Sequence, residues 1–242
     1  MKALILNSGL GSRMGDITNT HPKCMTEIDQ NETIVGRQIS LLRECDIKDI
    51  VMTTGYFDNV LRDYCDSLYN DINFTYVLNP RYSETNYIYS IYCARDYLHD
   101  DIILMHGDLV FTLEVLKKVI ASNKSVMTVS STLPLPEKDF KAVIIDNKIT
   151  KVGINFFDDA LSAQPLYKIN KNDWEVWLNN IISFCESDNF KCYAENAFNE
   201  VSDKCLIYPL DVKDELCSEI DTAEDLENVS KALIEYKKTN KE

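Results

Sequence analysis

The sequence predicts an α/β fold in which a mixed, mostly parallel sheet carries helices on both faces, with a small antiparallel β insertion. Between residues 3 and 105, short apolar runs alternate with segments of helical periodicity, the pattern of parallel strands joined by helices. From about residue 124 the sequence becomes β-rich. With 242 residues, the chain is long enough to bury a substantial core.

The elements of the first half follow one another in regular order. Strands are predicted at 3–6, 49–54, 73–78 and 101–105, and helices at 34–45, 58–68 and 86–98. The last of these helices is predicted because apolar or aromatic residues recur at helical spacing along it.

The second half combines strands with two amphipathic helices. Strands are predicted at 125–133, 141–146 and 148–154, and helices at 172–186 and 221–238. The pair Asp146-Asn147 predicts a tight hairpin between the last two strands. Trp174 and Trp177 fall on the apolar face of the first helix, so we expect both rings in the core.

Composition restricts the function. The formal net charge is −14, whereas nucleic-acid binding calls for a basic surface. No apolar run approaches the roughly 20 residues that span a bilayer, and the N-terminal run MKALIL has no signal-peptide cleavage site. We therefore expect a cytoplasmic protein without membrane insertion. Its eight cysteines show no metal-binding spacing, so we expect reduced and mostly buried thiols.

The stretch NSGLGSR, residues 7–13, directly follows the first strand. Glycines in such a loop allow backbone N–H groups to converge on phosphate oxygens. Neither common nucleotide fingerprint fits, since Met14 stands where the dinucleotide motif needs glycine and no Gly-Lys-Ser/Thr follows. Arg13 and Lys23, the latter behind Pro22, can approach a polyphosphate from two sides. The pattern is either a phosphate-binding loop or an ordinary strand-to-helix turn.

Three carboxylates are candidate metal ligands. Asp108 follows an apolar strand, and ligands of open α/β sheets bind at the carboxyl ends of strands. Because Mg²⁺ takes one or two carboxylates together with phosphate oxygens, Asp108 is either a metal ligand or the cap of a helix that starts near Thr112. Glu219 and Asp221 face the same side of an extended strand end. They either bind a cation or belong to a solvated acidic turn.

A family resemblance is carried, in the same order along the chain, by LILNSGLGSRMGDITNTHPKCMTEI (4–28), VLNPRYSETNYIYSIYCARDYL (77–98), Asp108 and SEIDTAEDL (218–226). Together they resemble the bacterial cytidylyltransferases that couple CTP to small phosphorylated alcohols. The choline-phosphate cytidylyltransferases of cell-surface decoration are the nearest type, within the wider sugar-nucleotide pyrophosphorylase superfamily. The resemblance covers nearly the whole chain.

The resemblance implies a Rossmann-like nucleotidyltransferase fold made of a single domain over residues 1–242. Within it we expect a nucleotide-binding half at 1–123, an acceptor-binding half at 124–220 and a C-terminal helix at 221–242. No linker, repeat or low-complexity tract interrupts the chain.

The resemblance also implies site residues. CTP is expected to contact Leu6, Asn7, Ser8, Gly9, Gly11, Ser12, Arg13, Lys23, Gly55, Thr85 and Asn86. Of these, Lys23 and Arg13 are the expected catalytic residues. Mg²⁺ is expected on Asp108, Glu219 and Asp221.

Two departures from the family pattern affect specificity. The loop reads Asn-Ser-Gly at 7–9 where the family usually has Ala-Ala-Gly, which adds polar groups near the base. Where the choline enzymes carry a Trp that cages the trimethylammonium group, this chain has Phe140 beside Lys141. A second cage stretch retains Tyr193 and Glu195 but has an alanine between them. We expect these four residues to bind the acceptor, with Glu195 holding a primary ammonium and Lys141 a carboxylate or an extra phosphate oxygen.

The expected reaction is an in-line attack, assisted by Mg²⁺, of a phosphate or phosphonate oxygen on the α-phosphorus of CTP, with release of pyrophosphate. Candidate acceptors are phosphocholine, 2-aminoethylphosphonate, phosphoethanolamine and phosphoglutamine. A sugar-1-phosphate nucleotidyltransferase and a non-catalytic nucleotide-binding module remain as alternatives. We expect no nucleic-acid partner, and a monomer or a homodimer.

Overall fold

The structure is a computed structural model, and it describes residues 1–240. The strands, in chain order, are β1 (Lys2–Asn7), β2 (Glu27–Asp29), β3 (Glu32–Thr33), β4 (Asp49–Thr54), β5 (Asn73–Leu78), β6 (Ile102–His106), β7 (Leu109–Phe111), β8 (Val126–Ser130), β9 (Lys141–Ile145), β10 (Lys148–Gly153), β11 (Ala160–Ile169), β12 (Tyr208–Asp211) and β13 (Cys217–Glu219). The helices are α1 (Ile34–Glu44), α2 (Asp58–Leu68), α3 (Tyr87–Ala94), α4 (Leu113–Ala121), α5 (Lys171–Glu186), α6 (Ala194–Val201) and α7 (Ala223–Asn240). Short 3₁₀ turns lie at Ser12–Thr18, Lys23–Met25 and Arg95–Tyr97.

Nine strands form one mixed sheet, which confirms the predicted α/β class. Four parallel strands are adjacent in the order β5-β4-β1-β6. The long strand β11 continues the sheet in the antiparallel sense, because one of its edges pairs with both β6 and β9 and the other edge pairs with β8. The predicted antiparallel part is therefore continuous with the parallel sheet. Beyond β8, strand β12 returns parallel to it.

Each face of the sheet has its own apolar core, because successive side chains of a strand point to opposite faces. In β1, Leu4 and Leu6 belong to the cluster that contains residues of α3, α5 and α6. Ala3 and Ile5 belong to the cluster that contains residues of α1, α2 and α4. Helices thus cover both faces, as predicted. The C-terminal helix α7 packs in a third cluster. This cluster includes Met14, which directly follows the loop at residues 7–13, called the opening loop from here on.

Side-chain caps determine where the helices near the carboxyl ends of the strands begin. The Asn86 side chain accepts a 2.7 Å hydrogen bond from the backbone N–H of Tyr87 at the start of α3. The Thr112 hydroxyl accepts a 3.3 Å bond from the backbone N–H of Val115 in α4. Because Thr112 caps α4, Asp108 is not the cap of that helix.

Most predicted elements match the structure within about two residues. The predicted helix 86–98 is α3 followed by a 3₁₀ turn. Asp146 and Asn147 have φ angles of 49° and 57°, as a tight hairpin turn requires, and β9 and β10 pair antiparallel on either side of them. Trp174 and Trp177 are both fully buried, which confirms their expected place in the core. Residues 241 and 242 of the predicted C-terminal helix lie outside the described residues.

All eight cysteines are free thiols, and five of them are buried. The buried ones are Cys24, Cys65, Cys185, Cys205 and Cys217. Over residues 1–240, no helix has both the length and the apolar character that crossing a bilayer requires.

Candidate active site

A cavity of about 460 Å³ opens where the central parallel strands β1 and β6 end. Of the 18 residues predicted from the sequence, 15 line it: Leu6, Asn7, Ser8, Gly9, Gly11, Ser12, Arg13, Lys23, Thr85, Asn86, Asp108, Phe140, Tyr193, Glu219 and Asp221. Segments that are far apart in the sequence therefore meet in one pocket. Its volume lies within the range of about 300–1,000 Å³ that is typical of small-molecule sites.

Three predicted residues do not line the cavity. Gly55 lies behind the opening loop, where a Cβ atom would come within 2.4 Å of the Ser8 carbonyl oxygen. The role of Gly55 is to allow the loop to approach this closely. Lys141 is fully buried, and its ammonium donates to the carbonyl oxygens of Pro136 and Asp139. Phe140 lines the cavity, so the neighbouring side chain of Lys141 points away from it, as alternation along an extended segment requires.

Glu195, the third of these residues, is buried beneath the cavity wall at the start of α6. Its carboxylate accepts hydrogen bonds from the hydroxyls of Tyr87 and Tyr167, the latter at 2.9 Å. Burial and the charge of Glu195 raise the pKa of both phenols, so both remain protonated donors. Tyr87 itself lines the cavity, so Glu195 acts on the pocket through Tyr87.

The opening loop depends on a glycine with a left-handed backbone. Gly11 has a φ of +66°, and a Cβ there would lie 3.1 Å from the Cβ of Lys23. The Thr18 hydroxyl also donates a 3.1 Å hydrogen bond to the Gly11 carbonyl. The loop is thereby held against the segment that carries Lys23.

Two cations and two carboxylates form an ion-pair cluster at one end of the cavity. The Lys23 ammonium lies 2.5 Å from Asp108 Oδ2 and 2.6 Å from Asp221 Oδ1. Arg13 contacts the other oxygen of Asp221 at 2.8 Å. Strands β7 and β13 bring the two carboxylates together, and Ile220 donates a backbone hydrogen bond to the Asp108 carbonyl.

These contacts shift the pKa values within the cluster. Burial alone would lower the pKa of Lys23, but the charges of Asp108 and Asp221 raise it. Burial would likewise raise the pKa of Asp108, but Lys23 and then His106 lower it. Lys23 and Asp108 are therefore both charged at neutral pH.

His106 is a site residue that the sequence analysis missed. Its Nδ1 atom lies 2.8 Å from Glu219 Oε1, and its ring lines the cavity. Burial opposes a charge on the imidazole, but the hydrogen bond with Glu219 and that residue's charge raise the pKa of His106 to about 9. Burial and the charge of Asp108 raise the pKa of Glu219. His106 and Glu219 thus form a second acid–base pair beside the cluster.

Four buried polar atoms at the end of the cavity that holds the ion-pair cluster have no hydrogen-bond partner among residues 1–240. They are Asn7 Nδ2, Ser8 Oγ, His106 Nε2 and Asp108 Oδ1. Buried polar atoms in folded proteins are nearly always bonded, so a ligand or a cation is the natural partner for these four.

The donor set also fits a divalent cation. Donor atoms of His106, Asp108 and Glu219 all lie within 4.8 Å of one another. Carboxylate oxygens are the ligands that Mg²⁺ takes, and an ammonium already bridges Asp108 and Asp221. Imidazole is a more usual ligand for transition metals, so His106 is better placed to orient Glu219 than to bind Mg²⁺.

Aromatic rings form the other end of the cavity. Tyr87 is the central ring, with its centroid 4.9 Å from that of His106 and 5.7 Å from that of Tyr193. Phe140 packs edge-on against Tyr193 at 5.0 Å. Lys138 and Asp139 line the cavity next to Phe140. The pocket therefore has a charged end and an aromatic end.

The signals for the missed residues were weak in the sequence. His106 directly precedes Gly107-Asp108, but a lone histidine at a strand end is usually structural. Tyr87 follows Asn86, which was predicted, yet it was one of thirteen tyrosines. The side-chain amide of Asn79 donates a 3.0 Å hydrogen bond to the Thr85 hydroxyl and so supports the turn at Thr85. No sequence pattern predicts this contact.

Two known proteins are each 30% identical to parts of this chain. CTP:phosphoglutamine cytidylyltransferase of Campylobacter jejuni matches over 135 residues, which is 53% of this chain. CMP-5'-(3-aminopropyl)phosphonate synthase of Streptomyces rubellomurinus matches over 163 residues, or 67% of this chain. The matched regions span 52% of the first relative and 25% of the second.

The solved structure of CTP:phosphocholine cytidylyltransferase from Streptococcus pneumoniae has the same fold. It matches with a TM-score of 0.76 over 96% of this chain and 98% of that chain, at 19% identity. A family model, the MobA-like NTP transferase domain, matches residues 3–133, which include the opening loop and Asp108. This region is more than half of the chain, which therefore belongs to the family of MobA-like NTP transferase domains.

Proposed function

We propose that this chain is a cytidylyltransferase. It joins CMP from CTP to a phosphate or phosphonate oxygen of a small, amino-bearing acceptor and releases pyrophosphate. The observation that carries the proposal is the pocket itself, where the opening loop, two cations and three carboxylates meet at one end and aromatic rings stand at the other. A nucleoside triphosphate fits the charged end, and a small organic cation fits the aromatic end.

Arg13 and Lys23 bind the triphosphate in this proposal. Both side chains belong to the charged cluster, and Lys23 packs against the opening loop at Gly11. Asn7 and Ser8 contribute the unpartnered Nδ2 and Oγ atoms at the end of β1, where they can bond the ribose or the pyrimidine. Thr85 and Asn86 also line the pocket and would complete the nucleotide subsite.

Asp108 and Asp221 would hold the metal ion, with Glu219 beside them. Held there, Mg²⁺ would supply positive charge that neutralises the negative charge developing on the phosphate oxygens during transfer. His106 keeps the Glu219 carboxylate oriented through its 2.8 Å hydrogen bond. Carboxylate oxygens at this position suit the preference of Mg²⁺ for oxygen ligands, which supports the choice of metal.

The transfer needs no general base. The attacking phosphate or phosphonate oxygen is already anionic at neutral pH, so the residues of the site have to position it in line with the leaving pyrophosphate. The cations Arg13 and Lys23 stabilise the charge on the triphosphate during transfer. Removal of one such charged contact typically costs on the order of 3 kcal/mol, or about 100-fold in rate.

The aromatic end suggests how the acceptor is recognised. The faces of Tyr87, Tyr193 and Phe140 can bind an ammonium group by cation–π contact. Because Glu195 lies beneath this wall, the acid available to a primary ammonium is Asp139, and the cation available to an acceptor carboxylate is Lys138. The two 30% identical relatives are named for phosphoglutamine and aminopropylphosphonate, which are both amino-bearing, and this supports the same acceptor class.

A single assay tests the proposal. Pyrophosphate release with Mg²⁺ is measured for CTP and UTP against phosphocholine, 2-aminoethylphosphonate, phosphoethanolamine, phosphoglutamine and glucose-1-phosphate. We expect turnover with CTP and at least one amino-bearing acceptor. Turnover with UTP and the sugar phosphate alone would instead identify a sugar-1-phosphate nucleotidyltransferase. If no pair reacts, either the acceptor lies outside this panel or the chain is a nucleotide-binding module, and calorimetry with CTP then serves to separate the two.

We also propose that the enzyme works in the cytoplasm, where CTP is available, as a monomer or a homodimer. The acidic net charge of −14 supports the absence of a nucleic-acid partner. A product of this type would supply a pathway that decorates cell-surface polysaccharide, in line with the resemblance to the choline-phosphate enzymes.

A further inference from the structure

We propose that Lys23 is an internal counterion that occupies the metal-binding carboxylates until a nucleotide draws it away. Binding of the metal is thereby coupled to binding of the nucleotide. The inference rests on the proposed function only for the identity of the ligand that attracts Lys23. The contacts from which we infer it are those of the ion-pair cluster alone.

The Lys23 ammonium and a divalent cation compete for the same two oxygens. Asp108 Oδ2 and Asp221 Oδ1 lie 2.5 and 2.6 Å from Lys23 Nζ. A magnesium ion would approach carboxylate oxygens to about 2.0–2.1 Å. Two positive centres cannot both lie between these oxygens, so a metal ion that bridges Asp108 and Asp221 has to displace the ammonium.

The displaced ammonium has another place to go. The stem of Lys23 packs against the opening loop, because a Cβ at Gly11 would come within 3.1 Å of the Lys23 Cβ. Lysine carries its charge on a flexible four-carbon stem, so the ammonium can turn from the carboxylates to phosphates held by the loop without backbone movement. A triphosphate on the loop thus removes Lys23 from the carboxylates and opens them to the metal.

Arg13 provides a matched comparison within the same cluster. It contacts the other oxygen of Asp221 at 2.8 Å, and its side chain is 69% exposed, whereas that of Lys23 is 13% exposed. Arg13 therefore neutralises Asp221 without lying between the two carboxylates. Removing Arg13 changes the local charge as much as removing Lys23 but frees no bridging position.

The coupling is reciprocal by thermodynamic necessity. If the nucleotide raises the affinity for the metal by some factor, the metal raises the affinity for the nucleotide by the same factor. Couplings of this kind typically amount to roughly 5- to 150-fold. Without a nucleotide, the wild-type protein should bind the metal weakly, because the metal has to break both Lys23 ion pairs.

The test measures Mn²⁺ binding to the nucleotide-free protein, followed by the paramagnetic resonance signal of free Mn²⁺. The variants are Lys23→Met, which keeps the stem and removes the charge, and Arg13→Met as the matched control. We expect Lys23→Met to bind Mn²⁺ at least about tenfold more tightly than wild type. Arg13→Met should differ from wild type by about fivefold or less, since its ion pair is exposed.

Two further variants make the result specific. Adding Asp108→Asn to Lys23→Met should abolish the gain, because the freed oxygens are those of the bridging site. If Lys23→Met does not fold, as judged by circular dichroism and thermal melting, Lys23→Gln takes its place in the same titration. The inference is wrong if removing the Lys23 charge leaves Mn²⁺ affinity unchanged or lower, or raises it no more than Arg13→Met does.

The metal titration and the turnover assay fail independently. A gain in Mn²⁺ affinity on Lys23→Met, together with no cytidylyl transfer by the wild type, would support the counterion and refute the proposed function. Cytidylyl transfer by the wild type, together with no gain in Mn²⁺ affinity on Lys23→Met, would support the proposed function and refute the counterion.

Discussion

Gly107 is the residue where added volume should disturb both the sheet and the active site. It lies between β6 and Asp108, and its backbone N–H donates a 3.0 Å hydrogen bond to the Leu6 carbonyl. A Cβ at this position would lie 1.7 Å from Asn7 Oδ1, 2.6 Å from Asn7 Cγ and 2.7 Å from the Leu6 carbonyl oxygen. These distances are far below van der Waals contact, so Gly107→Ala requires atoms to move.

The size of the effect follows from which atoms move. The side chain of Asn7 is buried and can turn only part of the way, so we expect the overpacking cost of about 1–3 kcal/mol. For a chain of this size, each kcal/mol lowers the melting temperature by about 2–4 °C, which gives a fall of about 2–12 °C. Turnover should fall as well, since Asn7 and Asp108 both line the pocket.

A double-mutant cycle with calorimetric melting separates the two clashes. Asn7→Ala removes Oδ1 and Cγ, while the Leu6 carbonyl oxygen stays. Gly107→Ala should therefore lower the free energy of unfolding by at least about 0.5 kcal/mol less in the Asn7→Ala background than in the wild type. It should still be destabilising there, because the clash with the Leu6 carbonyl oxygen remains. The control is Gly9→Ala, because no atom lies within 4 Å of a Cβ there, and we expect a change within about 0.5 kcal/mol. If Gly107→Ala melts like Gly9→Ala, the close approach of β1 and β6 is not what requires the glycine.

Three further predictions concern the site and the thiols. Lys23→Ala should lower CTP turnover by about 100-fold or more, and a loss below about threefold would contradict its role at the triphosphate. Glu195→Ala should raise the acceptor KM about tenfold or more with the CTP KM unchanged, since its carboxylate holds Tyr87, and Glu195→Gln should recover part of the loss. A matching rise in the CTP KM would show that Glu195 does not act on acceptor binding alone. Alkylation of the native protein, read by mass spectrometry, should modify only the three partly exposed thiols, and all eight after denaturation. The three partly exposed thiols are Cys45, Cys93 and Cys192. Their alkylation rates should rise from pH 7 to pH 9, because burial raises the pKa of each thiol and leaves little thiolate at neutral pH.

Long periodic segments could be predicted from the sequence, and short or interrupted ones could not. The helix that carries Trp174 and Trp177 has a clear apolar period over four turns, and α5 is where it was expected. Strand β11 was not predicted, and it contains Pro165, a residue type that is rare inside strands. The proline lies between the pairs Ala163–Val129 and Tyr167–Met127, where the register with β8 shifts, so the strand tolerates it.

The charged end of the site was more predictable than the aromatic end. Asp108 follows a strand of clear pattern, so its position at the carboxyl edge of the sheet could be expected. Lys23 could be expected there from its place behind Pro22, after the loop that follows the first strand. The pairing of His106 with Glu219 depends on β7 and β13, which are three residues each and too short to show a period. Glu195 was expected in the pocket, but it begins a helix whose position turns its carboxylate inward to the two tyrosines.

The two ends of the pocket also differ in how they relate to the family. The family model covers residues 3–133, and so it includes Lys23 and Asp108 but not Phe140, Tyr193 or Asp221. Asp221 nevertheless joins the charged cluster, because Lys23 bridges it to Asp108. Residues outside the family region thus complete the proposed metal site and also form the proposed acceptor wall. Under the proposed function, a change of acceptor would therefore need replacements in the aromatic wall, while the loop and the cations would still bind the triphosphate and the bridging carboxylates would still hold the metal.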